Sequence, residues 1–159
     1  MYKQKSEIIE QIQSFHSKVR KLYHTLYEKE ADDNVKILLH DLCLHEKQRE
    51  EYLEKHRKIA KVMDYCVLYP TNRISNKISE CFKHLNTRSP LSVYDVAQIE
   101  SHFDNCLVKF YEILSGEETR CGNIMNTFHY MIKKTHQDET KLDEMLTNSI
   151  SRKHSKIIM

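Results

Sequence analysis

The sequence predicts an all-α fold: a four-helix bundle with a long crossover between helices two and three and a short extra helix inside that crossover. Three observations carry this. The 159 residues include only two Gly and two Pro, too few for the turns of an all-β chain, while Lys, Glu, Leu and Ile are frequent. Apolar residues recur in steps of three and four over long stretches, the period of a helix with one face in a core. The chain also contains its own half twice.

The repeat is read directly from the residues. Phe15, Lys21, Tyr23 and Leu26 return as Phe103, Lys109, Tyr111 and Leu114, a shift of 88 positions (103 − 15). Leu39, Leu42, Cys43, Glu46, Arg49 and Leu53 then correspond to Phe128, Met131, Ile132, Thr135, Asp138 and Leu142, a shift of 89 (128 − 39). A duplicated helical hairpin relates its halves by a pseudo-twofold axis, so inward positions of one copy face those of the other. The expected organisation is one domain over 1–159, with repeats at about 8–64 and 92–147 and a tail at 148–159.

The first helix is expected over about 6–28, its seam formed by Ile8, Ile12, Phe15, Val19, Leu22 and Leu26, with Ser6 as N-cap. Residues 31–34 form the turn. The second helix is expected over about 34–64, roughly 45 Å at ~1.5 Å per residue. Its inward stripe is Leu39, Leu42, Glu46, Arg49, Leu53, His56, Ala60 and Met63, with charge at its centre. Residues 65–90 connect the halves and carry an amphipathic stretch, Ile74, Ile78, Cys81 and Leu85, which predicts a short bridging helix. Pro90, Ser92 and Asp95 announce the third bundle helix with an imperfect capping box. Val96, Phe103, Leu107, Phe110 and Leu114 line it, Glu100 and Asp104 interrupt it, and Gly116 closes it. The fourth, about 118–147, buries Met125, Phe128, Met131 or Ile132, Leu142 and Met145, broken by Thr135 and Asp138.

A net charge of +2 on 25 basic and 23 acidic side chains suggests neither a nucleic-acid groove nor a membrane-binding face. The one basic cluster, Arg152, Lys153, His154 and Lys156, reads as a frayed end. No apolar run is long enough to span a bilayer and no signal peptide is evident. Five cysteines without close pairing fit a reduced, cytoplasmic protein, with Cys43 and Cys106 acting as small hydrophobes on or beside the apolar stripes. His40 and His129, matched across the repeat, read as outward histidines, and Tyr23 and Tyr111 as core tyrosines with satisfied hydroxyls. A helical phosphotransfer domain would carry His-x-x-Lys-Gly, and no such string occurs.

Each half therefore offers one polar residue from its first helix and a polar pair three apart from its second: His16, Glu46 and Arg49 against Asp104, Thr135 and Asp138. Residues three apart share a helical face, so the six converge at mid-bundle. With the repeat, the crossover, and stretches such as Lys109-Phe110-Tyr111-Glu112-Ile113-Leu114 and Glu46-Lys47-Gln48-Arg49, the chain from about Ile8 to Leu146 resembles the ferritin-like superfamily, most closely its rubrerythrin-like branch. In that family each half supplies a Glu from its first helix and Glu-x-x-His from its second, and together they bind two irons.

Against that pattern the ligand set is degenerate. Glu46 alone matches outright; His16 and Asp104 stand at the first-helix Glu positions, Arg49 replaces a His, and Thr135 and Asp138 replace the second pair. A guanidinium offers only donors and stays charged, so Arg49 cannot ligate iron. The resemblance then implies a bundle that has lost di-iron catalysis and acts as a binding or structural module. A metal-free salt-bridge network would fork Arg49 onto one or two of the carboxylates of Glu46, Asp104 and Asp138, with Thr135 hydrogen-bonded nearby and His16 either protonated or neutral. The default partner is a second copy of the chain. The alternative reading is a metal-binding oxidoreductase or metal-handling protein with an altered mono- or di-metal site. With Arg49 swung out, His16, Glu46, Asp104 and Asp138 would form a mixed N/O set suited to one zinc, iron or manganese ion. A one-residue change of register would instead turn His136 and Glu139 inward.

Overall fold

The computed structural model describes residues 2–62, 67–88, 90–116, 129–144 and 146–147. A short strand β1 (Tyr2–Gln4) leads into α1 (Lys5–Lys29), α2 (Asp33–Val62), strand β2 (Val67–Pro70), α3 (Thr71–Cys81) and α4 (Val93–Gly116). A further helix, α5, covers 129–144 and continues at 146–147. The architecture is a helical bundle, as the periodicity requires. Among the described residues it departs from purely helical where β1 pairs antiparallel with β2, Tyr2 opposite Pro70 and Lys3 opposite Tyr69. Strands this short have no readable period, and pairing with each other rather than local propensity holds them. Because β1 runs straight into the first helix, that helix begins at Lys5 and takes in Ser6, the expected cap.

Helix ends are built by the residues that specify them. Asp32 Oδ1 accepts hydrogen bonds from the backbone N–H of Asn34 (2.9 Å) and Val35 (3.2 Å), capping α2. Ser92 and Asp95 close a reciprocal box at the start of α4. The Asp95 N–H donates to Ser92 Oγ (3.0 Å) and the Ser92 N–H to Asp95 Oδ2 (2.9 Å), so Asp serves where Glu is usual. The chain leaves α3 through His84 at φ 61°, a left-handed turn that leaves Leu85 beyond the helix.

Helices α1 and α2 are antiparallel: Gln13 reaches Glu54 (2.8 Å), whereas Cys43 reaches the carbonyl of Arg20 (3.6 Å). Helix α4 runs antiparallel to α1, since the Leu91 N–H donates to buried Glu30 Oε1 at one end (2.8 Å) and Tyr111 meets His16 at the other. Helix α5 runs antiparallel to α2, with Tyr130 stacked on Tyr52 (centroids 4.2 Å apart) and Asp138 against Arg49. The expected seams fill the core. Ile8, Ile12, Phe15, Val19 and Leu26 are buried with Leu39, Leu42, Leu53, Val96, Phe103, Leu107, Phe110, Met131 and Leu142. Phe15 sits edge-on to Phe82, Phe103 and Phe110 with centroids 5.7, 6.1 and 5.3 Å away. Leu22 and Ile132 pack against this core partly buried. The expected core positions Ile74, Ala60, Met63, Leu114, Met125, Phe128 and Met145 lie outside the described side chains, as do residues 148–159. Among the described residues no helix is long and apolar enough to cross a membrane.

The cysteines depart from expectation. Cys81 at the end of α3 and Cys106 in α4 form a disulfide, with Cα atoms 6.3 Å apart, while Cys43 is a half-buried free thiol. Cys106 is therefore not a free thiol. The pairing comes from how α3 lies against α4, and a separation of 25 residues in sequence gives no local sign of it.

Candidate functional site

Helix periodicity brings four polar interruptions of the apolar seams to one level of the bundle. Glu46 and Arg49 lie on one face of α2, Asp104 faces them from α4, and Asp138 from α5; all four are buried. Arg49 is 3% exposed and bonds to all three acids. Its Nη1 donates to Glu46 Oε1 (2.8 Å) and Asp104 Oδ1 (3.1 Å), and its Nη2 to Asp138 Oδ2 (2.9 Å). These are charge-assisted bonds from three helices onto one planar fork, a geometry that lysine cannot reproduce.

His16 joins from α1. Its Nδ1 lies 2.5 Å from Glu46 Oε2, and a carboxylate can only accept, so Nδ1 carries the hydrogen; Nε2 faces the Tyr111 hydroxyl at 3.4 Å. The two oxygens of Glu46 are thus divided between His16 and Arg49. Lys134, one turn before Asp138 on α5, places Nζ 3.3 Å from Asp138 Oδ1 at the rim.

Thr135 is fully buried beside the network but does not belong to it. Its hydroxyl donates to the Met131 carbonyl of its own helix (2.8 Å), the local bond open to any Thr in a helix. The register of α5 is the one with Thr135 and Asp138 inside; His136 is exposed and pairs with Glu139 at 3.7 Å on the surface. His40 and His129 point outward. Tyr23 and Tyr111 are core tyrosines, yet the Tyr23 hydroxyl has no hydrogen-bond partner among the described residues.

Glu100 is the site residue that sequence reasoning left out of the constellation. It lies one turn before Asp104, 2% exposed, with Oε2 unbonded among the described residues, as is Asp104 Oδ2. The signal for it was its interruption of the α4 seam at the spacing that stacks two acids on one face. Lys134 carried a similar signal, four residues before Asp138.

The electrostatics divide the acids into two kinds. Burial pushes the Glu46 carboxyl up, but Arg49 and His16 outweigh it and hold the group below its ordinary range. Burial also works against the charge on Arg49, but Glu46, Asp104 and Asp138 raise its pKa well above the ordinary value. Asp104 is pushed up to about 8, chiefly by burial, which its single bond to Arg49 does not cancel. Glu100 has no cation in contact among the described residues; burial, then the neighbouring Asp104, push it up to about 9. The two titrations belong to the pair, which keeps a proton to higher pH than free carboxyls do. Burial likewise raises the Tyr23 and Tyr111 hydroxyls.

The residues present do not fit a metal centre. Three of the four candidate ligands, Glu46, Asp104 and Asp138, each commit an oxygen to a guanidinium lying between them, and His16 commits Nδ1 to Glu46. Among the described residues no group of three or more His, Cys, Asp or Glu side chains is arranged to hold a metal ion. No protein-family model, curated protein or solved structure matches the chain.

Proposed function

We propose that the chain is a ferritin-like bundle of the rubrerythrin-like kind, its two hairpins joined by a crossover, in which an internal salt-bridge network has replaced the metal centre. It acts as a non-catalytic binding or structural module, with a second copy of the chain as the default partner. One observation carries this reading: the Arg49 guanidinium, donating to carboxylates of α2, α4 and α5, lies where the resemblance would put metal. The antiparallel pairing of α1 with α2, and the passage of α4 back along α1, support the crossover. A fixed cation at that point repels a second one and occupies an oxygen of each of Glu46, Asp104 and Asp138.

Elemental analysis of the purified protein, followed by anaerobic ferrous titration and exposure to oxygen, tests the proposal. The expected result is substoichiometric metal and no oxidation-linked absorption band. Stoichiometric iron with such a band would replace this reading by the oxidoreductase one, with His16, Glu46, Asp104 and Asp138 as ligands.

A further inference from the structure

Away from the charge network, on the opposite side of α4, the structure gathers a different set of reactive groups. Cys81 and Cys106 are bonded across the α3–α4 contact, their Cα atoms 6.3 Å apart, inside the span that a disulfide bridges without backbone movement. His102, one turn before Cys106, reaches both partners. Its Nε2 lies 2.8 Å from the Cys81 carbonyl oxygen and 3.9 Å from Cys106 Sγ. A carbonyl only accepts, so Nε2 carries a hydrogen, and that N–H is within reach of the sulfur. Cys81 is 5% exposed, whereas Cys106 is only partly buried.

We propose that Cys81, Cys106 and His102 form a thiol–disulfide exchange site that locks α3 to α4 when oxidised. Its reductant is a dithiol. One thiolate of the reductant attacks Cys106 Sγ, the more accessible sulfur; the S–S bond breaks, and Cys81 leaves with the electron pair and takes a proton from solvent. The second thiol of the reductant, giving its proton to solvent, attacks the mixed disulfide and releases Cys106 as a thiolate. Two electrons have passed to the protein sulfurs, and the reductant departs as a cyclic disulfide. The His102 N–H stabilises the released thiolate, and this favours the reduced state. Once the bond is open, α3 is held to the core by Ile78 and by Phe82 against Phe15 and Phe103, its centroid 5.7 and 5.2 Å from theirs. The state of the bond therefore sets how firmly the crossover is fastened.

The full chain is equilibrated in graded ratios of reduced to oxidised dithiothreitol, trapped with an alkylating reagent and mapped by mass spectrometry. Cys81 and Cys106 should gain label together and reversibly, with the tenfold response per ~30 mV of a two-electron couple. Circular dichroism should stay helical throughout. In a Cys81→Ser variant, which leaves the Cys106 thiol alone, adding His102→Leu, which has no donor, should slow alkylation at pH 7 by roughly threefold to tenfold and move its pH midpoint upward, the loss of one hydrogen bond to a thiolate. Label on both cysteines before any reduction, resistance to dithiothreitol until the protein is unfolded, or an unchanged Cys106 pH profile after His102→Leu would each overturn the proposal.

Discussion

Replacing Arg49 with Met removes the one side chain that bonds to carboxylates from three helices while keeping most of its apolar volume. Three charge-assisted bonds of 2.8, 3.1 and 2.9 Å disappear together. The acids do not suffer equally. Glu46 keeps His16 at 2.5 Å and Asp138 keeps Lys134 at 3.3 Å, whereas Asp104 has no other cation in contact among the described residues. Breaking a buried pair by deleting one partner costs about 3–5 kcal/mol, and the two surviving contacts place the expected loss toward the lower end, about 3 kcal/mol at pH 7. The stranded acids respond by holding protons, each tenfold gain in proton affinity being worth about 1.4 kcal/mol. An acid whose folded pKa rises above its unfolded value destabilises the protein increasingly as pH rises, so the deficit should shrink between pH 7 and pH 5. Urea unfolding of both proteins at the two pH values measures it, with Arg49→Lys as an intermediate that keeps a cation but loses the fork. A change below about 0.5 kcal/mol at pH 7 would mean that Arg49 supports nothing in the core, and the network would have to be abandoned.

The wild-type protein should itself lose stability as pH rises. Glu100 and Asp104 have folded values near 9 and 8, above their ordinary ones, so the native state binds more protons than the unfolded chain from about pH 4 to 9. The slope is up to about 1.4 kcal/mol per pH unit for each retained proton, and Glu100→Gln should remove one proton's share and stabilise the protein at pH 8 in urea titrations. A flat profile would show both acids ionised in the fold. Thr135→Val should change stability by less than about 1 kcal/mol, because the hydroxyl serves only its own helix; a loss of about 2 kcal/mol in thermal unfolding would put that hydroxyl in the network.

What could be read in the sequence is what a helical period encodes. Ile8, Ile12, Phe15 and Val19 had to share a face, and so did Leu39, Leu42, Glu46, Arg49 and Leu53, so the level at which charge enters the core followed from counting. That Arg49 would fork onto one or two of these acids followed from the chemistry of a buried guanidinium among carboxylates; that it bonds to all three did not. What escaped was set by contacts between elements or by choices within a few ångströms. The Cys81–Cys106 bond depends on how α3 lies on α4, and the β1–β2 ladder on two segments too short to have a period. Thr135 had an acceptor in its own backbone. Glu100 was visible as an interruption, but that no cation touches it among the described residues depended on where the Arg49 guanidinium points.

Arg49 and Asp138 stand 89 residues apart, the spacing at which the second hairpin echoes the first, and they touch. If both hairpins descend from one, that position once met its own image across a twofold axis, where an arginine would have confronted an arginine and an aspartate an aspartate. Only in copies that are separately encoded can the two positions take opposite signs. On that descent the ion pair is younger than the duplication, and two identical hairpins, both with the arginine or both with the aspartate, would repel where the intact chain coheres.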